Sequence, residues 1–206
     1  MLRTFTAIPN FFRRMYRRNL PHWHPPGASL FVTWRLAGTF PRLDRGIQDG
    51  RIFLERDRLL DRATDGPVWL RQPEVAESVV HCLREDAGGG YQLHAFVVMP
   101  NHVHILITPR IDLAKITRVV KGKSARQANA ILRRTGQPFW QDESFDHWIR
   151  HPQQFERVKS YIERNPVRAG LVMTPEQWPY SSATLQLEPN LHRLKPVPPS
   201  CPTQRS

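Results

Sequence analysis

The pattern of apolar and polar positions divides the chain into strands and helices. Runs rich in β-branched and aromatic residues predict strands over residues 29–36, 91–99 and 102–108, with a return to the sheet within 139–150. Apolar residues at helical spacing predict helices over residues 73–84, 112–134 and 152–165, and a weaker helical pattern covers 48–63. Residues 121–124 are a candidate interruption of the second of the strong helices. The strands on either side of Pro100-Asn101 predict a β-hairpin.

The order of these elements is strand, helix, strand, strand, helix, strand, helix. This order predicts an α+β fold with a ferredoxin-like split βαβ arrangement, in which helices cover one face of an antiparallel sheet. The other face would be free to carry a site. We expect a basic arm and linker over residues 1–28, one folded domain over 29–182 and a loosely ordered, Pro-rich tail over 183–206.

Composition narrows the range of partners. The formal net charge is +12, which favours a polyanionic partner, with nucleic acid first and an anionic membrane second. No run of eighteen apolar residues occurs, so we expect no transmembrane helix. The basic N-terminus lacks the features of a secretory signal, although its composition also fits a mitochondrial-type presequence. The two distant cysteines fit a reducing compartment and argue against a thiolate metal site.

The predicted hairpin carries the first candidate site. His102 and His104 are two positions apart on a strand, so their side chains project from the same face of the sheet. Two neutral imidazoles side by side can hold one divalent metal ion. The alternative is a pair of half-buried polar residues on the surface of a sheet.

The last predicted helix carries the second candidate site. Tyr161 and Asn165 are four positions apart and share one face of this helix. A neutral phenol, with a pKa of about 10, is a poor nucleophile, but a divalent ion on a phosphate would make the phosphorus easier to attack. Asn165 can offer its carbonyl oxygen as a third ligand, and this donor set suits Mg or Mn, although Zn, Ni or Co would also be accepted. The alternatives are packing for Tyr161 and a helix cap for Asn165.

Residues 96–106 resemble the HUH motif of single-tyrosine transposases, and residues 161–172 resemble their tyrosine helix and the turn after it. Residues 19–23 and 31–36 resemble the opening of the REP-associated tyrosine transposases. Two further segments that resemble this family are residues 121–125 and 140–146.

This resemblance implies a ferredoxin-like nuclease that acts on single-stranded DNA folded into hairpins. It implies that Tyr161 becomes joined to a 5′-phosphate and that His102 and His104 bind the metal. Many relatives carry Gln where this chain has Asn165, so a water molecule could stand between the shorter amide and the metal. The protein would be a monomer or a homodimer in the cytoplasm, associated with the nucleoid and with no membrane partner.

Basic residues are the candidates for contacts with the DNA backbone, which contribute affinity without sequence information. They are Arg17, Arg18, Lys121, Lys123, Arg126, Arg133 and Arg134. For each, the alternative is a solvated helix face. Two other functions remain open: a hairpin-binding regulator without catalysis, and a metalloenzyme that hydrolyses a small phosphoester.

Overall fold

The computed structural model describes residues 24–39 and 66–185. Most of the predicted basic arm, the weak helix predicted over 48–63 and most of the predicted tail lie outside the described residues. Within the described part, no helix is long and apolar enough to cross a membrane.

A four-stranded sheet forms the centre of the fold. Its strands are β1 (Leu30–Arg35), β2 (Tyr91–Val98), β3 (His102–Pro109) and β4 (Phe145–Trp148). They lie in the order β2-β3-β1-β4, and every neighbouring pair is antiparallel. This order confirms the predicted α+β, ferredoxin-like arrangement.

Five helices surround this sheet in the described part of the chain. They are α1 (Pro73–Glu85), α2 (Leu113–Ile131), α3 (Pro152–Glu163), α4 (Asn165–Arg168) and α5 (Ser182–Leu185). The side chain of Asp112 caps α2 by accepting hydrogen bonds from two backbone amides. Residues 121–124 do not interrupt α2, which continues through them. Helix α5 continues beyond the domain boundary that we predicted at residue 182.

The first face of the sheet packs against α1 and α2. Val103, Ile105 and Ile107 of β3 project from this face, as their alternation with the two histidines predicted. They meet apolar side chains of both helices, among them Val79 of α1 and Val120 of α2, in the larger of two buried clusters. Burial of this apolar surface is the main favourable term in the stability of the domain.

The second face of the sheet is covered by α3. Phe31 and Leu106 project from this face and form a second buried cluster with Ile162, while Phe155 and Val158 pack against its edge. The prediction that helices cover only one face is therefore wrong. Phe31 of β1 and Leu106 of β3 place apolar side chains on the second face as well, and apolar surface in water requires its own cover.

Candidate active site

The predicted histidine pair lies at the centre of the second face. His102 and His104 are both fully buried, and their Nε2 atoms are 3.0 Å apart. The alternation of β3 brings them to this face, next to Phe31, whose ring centroid lies 5.4 Å from that of His104. Because β3 is an inner strand, paired on both sides, the two rings are held by a rigid backbone.

The outer nitrogens of both rings have hydrogen-bond partners. His102 Nδ1 lies 2.7 Å from Asn101 Oδ1, and His104 Nδ1 lies 2.7 Å from Thr33 Oγ1. An amide oxygen can only accept a hydrogen bond, so His102 Nδ1 carries the proton and its Nε2 presents a lone pair. The Thr33 hydroxyl can accept from His104 in the same way. This is the arrangement in which partners of Nδ1 orient a metal-binding histidine.

The spacing of the two Nε2 atoms fits one metal ion. Two nitrogens that each lie about 2.1 Å from an ion, at a right angle to one another, are about 3.0 Å apart. The observed separation is 3.0 Å. The described residues contain no group of three or more His, Cys, Asp or Glu side chains that could hold a metal. A third protein ligand in this part of the chain would therefore have to be of another type, such as an amide oxygen.

Tyr161 of α3 lies beside the histidine pair. Its ring centroid is 6.0 Å from that of His104 and 6.2 Å from that of Phe31, which its ring meets edge to face. The guanidinium of Arg168, from α4, lies 4.5 Å from the centroid of the same ring. The structure thus brings together the phenol, one imidazole of the pair and a positive charge.

Asn165 is fully buried at the start of α4. Helix α3 ends at Glu163, two residues earlier than the limit predicted from the sequence, and Asn165 begins the next short helix one turn beyond Tyr161. Its burial close to Tyr161 in the chain agrees with a place in the site, and its role as a ligand stays a prediction.

The predicted DNA-binding residues of α2 do not join this site. Helix α2 packs on the first face of the sheet, so its basic side chains lie on the opposite side from the histidine pair. The ammonium of Lys121 is buried and donates to the carbonyl oxygens of Gln141 and Asp142, at 2.7 and 2.8 Å. Lys123 donates to Asp86 at 2.8 Å, and this hydrogen bond raises the pKa of Lys123.

The three remaining candidates of α2 lie in its second half or just beyond its end. Arg126 is exposed. Arg133 adopts a left-handed conformation, with φ of 55°, in the turn that terminates the helix. Arg134 stacks on Trp69, with its guanidinium 3.6 Å from the ring centroid. Arg17 and Arg18 lie outside the described residues.

Reasoning from the sequence missed a set of arginines that flank the tyrosine. Arg157, Arg164 and Arg168 are all exposed and lie four residues before, three after and seven after Tyr161. This is the spacing of one helix face, so the signal was present in the sequence. Sequence reasoning also missed Arg35, a basic residue close to the histidine pair. Arg35 is buried on β1 directly opposite His102 and donates to the Thr39 carbonyl.

Lys121→Met is expected to lower the stability of the domain rather than its affinity for DNA. The substitution removes two charge-assisted hydrogen bonds from a buried site, and a loss of about 2 kcal/mol in the free energy of unfolding is expected. Thermal or urea unfolding measures this loss. Arg126→Met, on the exposed surface of the same helix, should change stability by less than about 0.5 kcal/mol. Equal stabilities for the two variants would contradict the structural role of Lys121.

Comparison with known families identifies the segment that holds this site. Residues 71–165 match the family model described as "Transposase IS200 like". This match confirms the predicted resemblance to single-tyrosine transposases. The matched residues of this chain include the histidine pair, Tyr161 and Asn165, whereas β1 and Arg168 lie outside the match.

Individual relatives are similar to parts of the chain. A REP-associated tyrosine transposase of Escherichia coli (strain K12) is 27% identical over 95 residues, which are 45% of this chain and 54% of that protein. A putative REP-associated tyrosine transposase of Haemophilus influenzae is 29% identical over 104 residues, 45% of this chain and 58% of that protein. The chain therefore spans a little more than half the length of the curated relatives that it matches.

A solved structure supports the fold independently. The structure of a REP-associated tyrosine transposase bound to a REP hairpin superimposes with a TM-score of 0.50, at 20% identity, over 84% of this chain and 84% of that one. At this level of identity the similarity concerns the fold alone.

Proposed function

We propose that this protein is a single-tyrosine transposase that cleaves and rejoins single-stranded DNA at hairpins formed by palindromic repeats. The observation that carries the proposal is the position of Tyr161, whose ring lies 6.0 Å from a histidine whose Nε2 is 3.0 Å from that of its neighbour. A phenol beside a potential metal site is the arrangement that a covalent phosphotyrosine reaction requires. The family match over residues 71–165 and the named relatives support the same reaction class.

The proposed reaction is a reversible transfer of a phosphoryl group. Tyr161 Oη attacks the phosphorus, loses its proton to water and forms an ester with the 5′-phosphate. The bond between phosphorus and the 3′-oxygen breaks, and that oxygen leaves as a 3′-hydroxyl after taking up a proton. In the reverse step a 3′-hydroxyl attacks the phosphorus of the phosphotyrosine. This attack rejoins the DNA strand and releases the phenol of Tyr161. Because each step exchanges one phosphodiester for another, the energy of the bond is retained in the covalent intermediate.

His102 and His104 would hold a divalent metal, Mg or Mn, and Asn165 would be the third ligand, directly or through water. When bound, the metal supplies positive charge that withdraws electron density from the scissile phosphate. The protein holds the two imidazoles in position through Asn101 and Thr33. The donor set of two imidazoles and one amide oxygen leaves coordination positions open to the substrate.

Arginines around Tyr161 would contact the DNA backbone. Arg157, Arg164 and Arg168 form an exposed basic face on either side of the nucleophile, and Arg168 already lies against its ring. Contacts between arginine and phosphate would position the strand and give affinity that falls steeply with salt. Arg126, Arg133 and Arg134 would belong to a second contact, on the opposite face of the sheet.

A labelled palindromic single strand tests the proposal. Incubation of the strand with the protein and Mg²⁺ or Mn²⁺, followed by a denaturing gel, should reveal a protein–DNA adduct and a shortened strand. EDTA should remove both products and leave hairpin binding in place. Binding to the hairpin without an adduct under any of these metal conditions would instead support the regulator without catalysis. A weak salt dependence and no hairpin binding would support the small-phosphoester enzyme.

A further inference from the structure

A cavity of about 410 Å³ lies at the β2 edge of the sheet, separate from the histidine pair. Its walls come from α1, α3, α5 and β2, and they include Arg84, His94, Phe96, Lys159, Glu163 and Ser182. The C-terminal half of the β2 edge is already occupied, since Phe96 N donates to Ser182 Oγ and Val98 N donates to the Tyr180 carbonyl. The cavity therefore lies beside the N-terminal half of this edge, where the β2–β3 register shifts between Leu93 and Ala95.

The polar groups of this cavity are held in fixed places. Ser182 Oγ donates to Glu163 Oε1 at 3.1 Å while it accepts from the backbone of β2. Glu163 and Lys159 are one turn apart on α3, so they line the same wall. Arg84 stands on the other side, near the C-terminal end of α1.

His94 adds a neutral polar group. Its Nε2 lies 2.7 Å from Thr108 Oγ1, and its ring packs edge to face against Phe155. Burial, and then the charge of Lys159, lower the pKa of His94 below its usual value, which keeps the ring uncharged at neutral pH. The charged groups in the wall are thus two cations and one carboxylate.

We infer that this cavity binds one unpaired nucleotide of the DNA substrate, with its phosphate between Arg84 and Lys159 and its base edge at Glu163. The inference rests on the proposed function and adds a specificity subsite to it. Two cations on opposite walls suit one phosphate, and a fixed carboxylate accepts a hydrogen bond from the exocyclic amino group of a base. Leu93 and Ala87 supply apolar wall for the faces of the base, and the volume is within the range of small-ligand sites.

The carboxylate makes the subsite selective. Glu163 can accept a hydrogen bond from the N4 amino group of cytosine. Thymine presents its O4 oxygen at the same place, so two hydrogen-bond acceptors would face each other. A preference for cytosine over thymine at one unpaired position follows.

The position of the cavity indicates which nucleotide it would hold. Lys159 and Tyr161 are two residues apart on α3, so their side chains leave the helix on nearly opposite sides. A strand that crosses the helix covers about 10 Å, and stacked nucleotides advance about 3.4 Å each. The bound nucleotide would lie about three positions from the scissile phosphate.

The test compares one hairpin with and without an unpaired flank of several nucleotides, on either its 5′ or its 3′ side. Fluorescence anisotropy gives the affinity of each for the full-length protein and for the double variant Arg84→Gln/Lys159→Gln. We expect the double variant to bind the flanked hairpin roughly tenfold more weakly, and the hairpin without a flank as the wild type does. The control is Lys115→Gln/Arg118→Gln, which removes two exposed charges from α2 that do not line the cavity.

Substitution of each flanking nucleotide locates the selective position. The wild type should prefer cytosine to thymine at one position by roughly tenfold, and Glu163→Gln should lose this preference because an amide can also donate to thymine. Thermal unfolding of each variant confirms that it is folded.

The outcomes separate this inference from the proposed function. Suppose that the wild type binds the hairpin and forms the adduct. If Arg84→Gln/Lys159→Gln and its control then lose the same affinity for the flanked hairpin, the nucleotide subsite is overturned, while the proposed transposase function stands. Absence of any base preference in the wild type would also overturn it. Failure of the wild type to bind any hairpin would overturn the proposed function itself.

Discussion

Tyr161→Phe is expected to abolish the covalent adduct and leave hairpin binding unchanged. The substitution removes one hydroxyl and keeps the ring that packs against Phe31, His104 and Arg168. Loss of a nucleophile costs orders of magnitude in rate, so cleavage should fall by at least ~10³-fold. A denaturing gel measures the adduct and the cleaved strand, while anisotropy measures binding to the same labelled hairpin.

Tyr180→Phe is the matched control. Tyr180 is also partly buried, but its side chain packs on the first face of the sheet, away from the histidine pair. This variant should cleave as the wild type does. If Tyr161→Phe formed the adduct at the wild-type level, another residue would have to be the nucleophile, and the proposed mechanism would be contradicted.

His102→Ala and His104→Ala are each expected to remove metal-dependent cleavage. The two Nε2 atoms are 3.0 Å apart and belong to one inner strand, so removal of either ring leaves at most one imidazole for the metal. Since loss of a group that only orients a ligand weakens metal affinity by about 10–100-fold, loss of a ligand should weaken it by at least roughly 100-fold. Calorimetric titration of each variant with Mn²⁺ measures this affinity independently of any DNA reaction.

His81→Ala is the control for this experiment. His81 is an exposed residue of α1, so its loss should change neither Mn²⁺ affinity nor cleavage. Both variants of the pair should still bind hairpin DNA, because the phosphate contacts that we propose come from arginines elsewhere. Thermal unfolding checks that the buried substitutions leave the domain folded. If both His102→Ala and His104→Ala bound Mn²⁺ with wild-type affinity, the two histidines would not be metal ligands.

Local sequence patterns predicted the elements of the site correctly. The alternation of β3 set His102 and His104 on one face and Val103, Ile105 and Ile107 on the other, because successive side chains of any strand point to opposite faces. Asp112 marked the start of α2 for an equally local reason, since its carboxylate reaches backbone amides only two and three residues ahead.

Contacts between distant segments explain why the interpretation of the basic residues was incomplete. Lys121 has the charge of a surface residue, but the loop before β4 presents two carbonyl oxygens to its ammonium, so the residue is buried. The basic residues of α2 lie across the sheet from Tyr161, while Arg168, which lies against the Tyr161 ring, comes from the short helix α4 that follows α3. Charge along the chain does not reveal which face of a sheet a helix will cover.

From the sequence alone, this protein was determined to be a basic α+β chain with a histidine pair on a strand and a tyrosine on a helix. Only the tertiary structure decided that α3 covers the second face and brings the rings of Tyr161 and His104 to 6.0 Å. It alone assembled the edge cavity from α1, α3, α5 and β2. Periodicity reports that a position is buried, but the surface that buries it depends on how all the elements pack together.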